Sequence, residues 1–413
     1  MKRRVLPVPL RIVPVALTFA MITTGFTAPF AAASEAAASN STSASGSAST
    51  PGNTYTQPVT IKTEVLPSTK PMSSSVDVST LLQKFRDFSH FATGELAKDT
   101  AFALNIVSWQ MPHGGFYKDM EKQYAAPWDG VTARSGWKDP NGVELGTFDN
   151  DATTSEIRFL TDMYVKTGNP VFKESVRKAI DFILVSQYPS GGWPQVYPKR
   201  SNYSDAVTYN DNAMVQTMIL LDDITQRKHG FDNDILTSAE RNKLKTALDH
   251  GIAYTLKAQI INNGIPTVWC AQHDPVTYEP LPGRAYELAS KSGSESVAIT
   301  AFLMSLPQTP EIERAAKGAL KWFDTVRENG TKYNRQGPVY FEPNASSVIW
   351  YRFYNVDEDV PFYADRDGKK YMNILDISEE RRHGYSWAGS YARNLLKLAS
   401  DQGYYKLSQP LPK

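Results

Sequence analysis

Cysteine is nearly absent. Cys270 is the only one in 413 residues, so no intramolecular disulfide and no cysteine-based metal site can form, and the fold has to rest on packing. Long apolar runs are also missing. The stretch carrying Val15, Leu17, Phe19, Met21 and Ile22 is interrupted by Arg11 and Pro14 and falls short of the ~20 residues that a spanning helix needs. Charge of one sign is not in excess either: 44 Lys and Arg stand against 43 Asp and Glu, a net charge of +1 with no long basic run. A nucleic-acid-binding surface is thereby excluded, and any anionic ligand must be met by a local cationic cleft. Strand-like alternation is sparse.

What is present divides the chain in three. Lys2-Arg3-Arg4, the short apolar run and Ala31-Ala32-Ala33 have the layout of a signal peptide, residues 1–33, cleaved near Ala33. Residues 34–75 are Ser, Thr, Ala and Pro with few large apolar side chains; they cannot bury enough surface to offset their ordering entropy and are read as a flexible linker. Residues 76–413 show no second low-complexity break and are read as one large domain. A secreted monomer, extracellular or periplasmic and with no membrane attachment after cleavage, is expected.

Within that domain the period is helical. Ile157, Leu160 and Tyr164 share one face, as do Val176, Ile180 and Ile183, and further helices are predicted over 213–225, 238–259, 294–306, 310–328 and 387–401. Pro170 and Pro310 fall at helix starts, where a missing amide donor costs little. The chain also repeats. Gln110-Met-Pro-His-Gly-Gly-Phe116 matches Gln187-Tyr-Pro-Ser-Gly-Gly-Trp193, and Thr147-Phe-Asp-Asn-Asp-Ala152 matches Thr208-Tyr-Asn-Asp-Asn-Ala213; a weaker third copy runs from Gln259 to Ser292-Gly-Ser-Glu-Ser296. Each unit reads as a helix ending at a loop, an excursion, and a returning helix. Three such hairpins in a ring make a toroid whose loops converge at one end.

Three clusters carry candidate chemistry. Asp149, Asn150 and Asp151, with Asn210, Asp211 and Asn212, put oxygen ligands on two matching loops, a donor set suited to calcium, which accepts irregular geometry and can share its shell with a substrate carboxylate. The alternative is that Asp149 and Asp211 are helix N-caps. A second cluster spans Trp269 to His273 and Pro282 to Glu287, where Arg284 is either functional or a surface partner of Glu287; no nucleophile motif accompanies His273, which is given no catalytic role. The third runs from Trp350 to Tyr354, through Asp365 to Gly368, and on to Arg381–Trp387. It pairs arginine forks, which match carboxylates, with aromatic faces, which stack on sugars.

Gly191-Gly-Trp-Pro-Gln-Val-Tyr-Pro198 and Thr208-Tyr-Asn-Asp-Asn-Ala-Met214 strongly resemble polysaccharide lyase family ten, the pectate lyases with an (α/α)3 toroid. The likeness continues through Trp269–His273, Arg284-Ala-Tyr-Glu287, Ser292–Ser296, Trp350-Tyr-Arg-Phe-Tyr354, Arg366-Asp-Gly368 and Gly384-Tyr-Ser-Trp387. The resemblance implies a mainly α toroid with long loops forming a cleft, and calcium-assisted β-elimination of α-1,4-linked polygalacturonate. It implies Arg284 as Brønsted base, Asp149 and Asp211 around the calcium and the scissile subsite, and Arg352 and Arg366 on substrate carboxylates. Trp193 and Tyr209, inside the two leading motifs, are expected to contact substrate.

Two other readings compete. One is an inverting glycoside hydrolase with Asp149 and Asp211 as acid and base, their carboxyl groups ~6.5–9.5 Å apart; the other is a non-catalytic pectin-binding module. A Ser, Thr and Ala tract has no side chains suited to recognising uronates. Deleting residues 34–75 should therefore leave turnover of soluble polygalacturonate unchanged in an absorbance assay, and a large drop would show that the tract does more than connect.

Overall fold

The computed structural model describes residues 76–413. The expected signal peptide and linker lie outside the described residues. Among those described there are ten α-helices: α1 (Ser79–Leu82), α2 (Leu96–Trp109), α3 (Thr154–Thr167), α4 (Pro170–Ser186), α5 (Ala213–Thr225), α6 (Ser238–Ala258), α7 (Glu295–Ser305), α8 (Pro310–Val326), α9 (Glu379–Gly384) and α10 (Arg393–Asp401). The mainly helical class is as expected, and no described helix is long and apolar enough to cross a membrane.

Three hairpins follow one another, α3 packing on α4, α5 on α6 and α7 on α8, while α3, α5 and α7 also pack in succession. Sequence explains which helix lies inside. α5 and α7 are apolar on nearly every side and almost wholly buried, whereas α4 and α8 each bury a single stripe, Val176, Ile180 and Ile183 in one and Ile312, Ala319 and Phe323 in the other. Asn169 and Thr309 cap the outer helices just before Pro170 and Pro310, and Thr237 with Glu240 closes a capping box on α6.

The third repeat is as real as the first two. Gln110, Gln187 and Gln259 each stand at the C-cap of an outer helix, and each side-chain amide donates both to its own loop and to the next outer helix. The acceptors are Gly114 and Ser175, then Gly191 and Ala247, then Thr267 and Ala315, all at 2.8–2.9 Å. The Gly-Gly pairs of the first two copies follow from this close approach. Gly114 and Gly191 have φ of +94° and +105°, and a Cβ there would lie 2.1 and 2.2 Å from the carbonyl oxygens of Lys178 and His250.

The sequence reading erred at the C-terminal end. Residues 387–401 are not one helix: Ala388–Gly389 pair as a strand with Trp350–Tyr351, and α10 begins only at Arg393. The strand Glu328–Tyr333 likewise ends the preceding helix at Val326 and pairs with Phe341–Tyr351. This region has its own apolar cluster of Tyr286, Phe353, Phe362, Tyr363 and Trp387. It also reaches back to the helices, since Phe353–Tyr354 pair with Lys291–Ser292 at the start of α7.

A buried acid at the start of α3 gives the fold a pH signature. Burial pushes the Glu156 carboxyl up to about 8 against the opposing hydrogen bond from Tyr124, 2.9 Å away. The folded protein therefore keeps a proton that the unfolded chain releases, and stability falls as pH rises from the ordinary glutamate range towards 8. Glu156→Gln should match the native protein in thermal unfolding at pH 5 and exceed it by a few degrees at pH 8.5; equal midpoints at both pH values would contradict the assignment.

Candidate active site

The site begins with a backbone distortion that the two matching loops share. Asn150 and Asp151 in one, Asp211 and Asn212 in the other, have φ between +48° and +62°, a left-handed conformation that Asn and Asp tolerate better than most residues. Helix α3 starts from Thr153 and α5 from Asn212, neither with a side-chain capping bond. Asp149 and Asp211 are thus not N-caps, and their carboxylates are not spent on the helix starts.

Backbone bonds tie each helix start to the loop that follows it in sequence. Phe148 N–H donates to Gln195 O at 3.0 Å, Tyr209 N–H to Ala271 O at 2.8 Å, and Gly293 N–H to Arg352 O at 3.0 Å. Thr147, Thr208 and Ser292, one position earlier, donate to Phe116, Trp193 and Trp269. Three equivalent starts are thereby brought together, and with them three acids. Aligned on these bonds, Asp211 and Glu295 occupy the same position, whereas Asp149 stands one residue earlier in its own copy.

Their charges are felt mutually. Burial first, then the Asp149 and Glu295 carboxylates, push Asp211 up to about 6, while Arg352 opposes them. Asp149 is 2% exposed, takes a 2.5 Å bond from Lys118 Nζ on Oδ2, and leaves Oδ1 buried with no partner. Glu295 accepts from Ser292 Oγ and from Arg352 Nη2, the latter at 2.5 Å. Arg352 is fixed by its backbone, donating N–H to Trp387 O at 2.7 Å and accepting from Gly293. Its guanidinium lies 4.7 Å from the Tyr385 ring centroid, and its Nε is buried without an acceptor.

Tyr385 links this acid cluster to a second group, since its hydroxyl donates to Glu287 Oε1 at 3.0 Å. Glu287 also receives Arg284 Nε at 2.8 Å and Nη2 at 2.5 Å. That bidentate pairing raises Arg284 further above the ordinary arginine range, and holds Glu287 below the usual glutamate range although burial pulls it upward. Arg284, Arg366 and Arg381 all face the Tyr286 ring, at 5.1, 5.5 and 4.3 Å from its centroid, and Arg366 and Arg381 share Glu380.

Of the residues singled out in the sequence, Asp149, Asp211 and Arg352 come together, and Arg284 and Arg366 meet at Tyr286. Trp193 and Tyr209 do not join them. Both are 0% exposed: Trp193 Nε1 donates to Ile183 O at 2.9 Å, and the Tyr209 hydroxyl meets Thr255 Oγ1 at 2.9 Å. Neither has a face to offer a sugar, so their expected substrate contact is corrected to a core role. His273 is buried, bonded to Cys270 N–H and Tyr278 O, and lowered to about 4 by burial. Lys118, Glu295, Arg381 and Tyr385 join the site without a role assigned from sequence. Glu295, Arg381 and Tyr385 lie within the motifs above, but nothing in their spacing shows that they face Asp211, Tyr286 and Glu287.

The model for the pectic acid lyase family matches residues 110–396. A family 10 polysaccharide lyase from Cellvibrio cellulosa is 39% identical, with a TM-score of 0.69, over 77% of this chain and 95% of that one. A mutant of a family 10 polysaccharide lyase from the same organism, in complex with trigalacturonic acid, is 37% identical, also with a TM-score of 0.69, over 78% and 98% of the two chains. No curated protein matches. The converging acids, the paired arginines and these likenesses agree: the chain belongs to the pectic acid lyases, family 10 of the polysaccharide lyases, and is a polysaccharide lyase.

Proposed function

We propose that this enzyme cleaves α-1,4-linked polygalacturonate by calcium-assisted β-elimination and acts outside the cell or in a periplasm. The observation that carries the reading is the cluster of Asp149, Asp211 and Glu295 with the cations Lys118 and Arg352, which Tyr385 links to the Arg284–Glu287 pair. The same reading takes the three hairpins as an (α/α)3 toroid with its cleft at the convergent helix starts. Trigalacturonic acid bound to a relative 37% identical supports the substrate class.

The donor set fits calcium. Asp149 Oδ1 is a buried oxygen with no partner, and burial, then the Asp149 and Glu295 carboxylates, raise the proton affinity of Asp211. Among the described residues no three His, Cys, Asp or Glu side chains close a metal cage. Asp149 and Asp211 would hold the ion in part, leaving shell positions to substrate carboxylate and water, as a cation with 6–8 oxygen ligands allows. Once bound, calcium supplies positive charge that draws electron density from the uronate carboxylate and acidifies the C5 proton.

Elimination takes that proton from C5, forms the C4=C5 double bond and breaks the C4–O bond, so charge develops on the carboxylate. Arg352 and Arg366 present guanidiniums to it, stabilisation of the kind that often dominates catalysis. Arg284 is the proposed proton acceptor. Glu287 stabilises its charged form, so it accepts a proton only where substrate binding breaks that ion pair and the guanidinium has first lost its own proton, which alkaline pH favours. The same ion pair favours a second role, in which Arg284 remains a cation against the developing charge and a solvent-derived base takes the proton. The hydrolase alternative fares worse, since the matching family and both solved relatives are lyases.

Chelation should abolish the ultraviolet absorbance of unsaturated product, and added calcium should restore it; full activity in excess chelator would sink the metal assignment. Asp211→Ala should lose most activity with only a modest drop in thermal unfolding temperature, because no capping bond is removed and the cost is confined to an alanine at φ +50°. If the variant is inactive only because it unfolds, the site assignment fails.

Arg284→Ala should abolish elimination with little loss of polygalacturonate binding, and the native rate should climb into alkaline pH. Arg284→Lys separates the two roles. A lysine that recovers only a small part of the rate supports Arg284 as base; near-normal turnover across the pH range refutes it and leaves the electrostatic role.

A further inference from the structure

On the other side of Asp149, the excursion of the first repeat carries a half-buried indole that holds two cations. Lys118 Nζ lies 5.1 Å and the Arg200 guanidinium carbon 4.8 Å from the Trp137 ring centroid, and Tyr117 packs edge-on against the same ring at 5.2 Å. The two cations differ in one respect. Lys118 is neutralised by Asp149, 2.5 Å away; among the described residues Arg200 forms no ion pair, whereas Arg284, Arg352, Arg366 and Arg381 each hold a glutamate. The nearest acid in sequence, Asp205, places its two carboxylate oxygens on the backbone N–H groups of Arg200 and Ser201, both at 2.7 Å. That shapes the turn and leaves the guanidinium's donors open.

We propose that Arg200, held by Trp137, binds the carboxylate of a galacturonate unit away from the scissile bond, forming a subsite on the Asp149 side of the cleft. The inference rests on the polygalacturonate reading and extends it. Its place beside the reaction centre is marked by Lys118, which faces the same Trp137 ring and bonds Asp149. A half-buried arginine with a fixed stem and free donors loses little entropy on pairing, and its planar fork matches a carboxylate in a bidentate way. A fully esterified polymer has no charge to offer it, so the subsite also selects for acidic pectate.

The test is a length series of oligogalacturonates titrated calorimetrically into Arg284→Ala protein, with and without Arg200→Ala. The Kd ratio should stay near one for the shortest oligomers and rise to about tenfold once the chain is long enough to reach Trp137, the size of one charge-assisted contact. Arg200→Lys, which keeps the charge but not the fork, should fall between. A ratio near one at every length, or one equally large at every length, overturns the subsite, the latter because it places Arg200 at the reaction centre. If the protein binds no galacturonate oligomer even with Arg200 intact, the substrate reading itself fails and the subsite falls with it.

Discussion

One clasp organises the molecule. An outer helix ends, its last turn leaves carbonyls unsatisfied, and a glutamine at that point fastens the chain both to its own loop and to the middle of the next outer helix. Because Gln110, Gln187 and Gln259 do the same thing, the three excursions leave in the same direction. The backbone bonds from Phe148, Tyr209 and Gly293 to the loop that follows then bring the three returning helices to one end. The convergence of Asp149, Asp211 and Glu295 is a consequence of this arrangement, since each acid simply stands at or beside one repeated position.

Convergence of like charges is costly, and the structure answers it with cations from outside the repeated helix starts. Lys118 comes from the first excursion, Arg352 from the turn after a strand, and Arg284 from a loop shared with Glu287. The residual imbalance shows in Asp211, lifted to about 6 by burial and its two acidic neighbours. Such a cluster is poor at holding itself together and well suited to a divalent cation and an anionic chain arriving together.

The helices and the first two repeats were legible in the sequence because both rest on local pattern: apolar spacing, proline at helix starts, Gln and Gly-Gly at fixed places. The third repeat was weaker in letters because its loop uses Thr267 and Val268 where the others use glycine, although Gln259 makes the same bonds. The sheet region failed for the opposite reason. Trp387 to Asp401 has helical spacing, but Ala388–Gly389 are captured by a strand far earlier in the chain, a non-local pairing that periodicity does not register. Trp193 and Tyr209 were misplaced by the same limit. A motif aromatic looks like a sugar platform until its environment is known, and here Gly251 makes room for the indole inside the core, where a Cβ would lie 2.6 Å from the Trp193 ring.

The pairing of arginines with glutamates bears on specificity as well as on charge. Arg284, Arg352 and Arg366 each already hold a carboxylate, so a substrate carboxylate must share or displace a resident partner, and the net gain from any one contact is small. A neutral sugar gains nothing from such sites and leaves the resident pairs intact. A polyuronate meets several of them at once along one chain, and each exchange becomes intramolecular after the first. Discrimination between acidic and neutral polymers therefore grows with the number of units bound, even though each cation is half-neutralised in advance. The same resident glutamates keep the guanidiniums oriented in the absence of substrate, so under the proposed reading the polymer exchanges into cations that are already positioned.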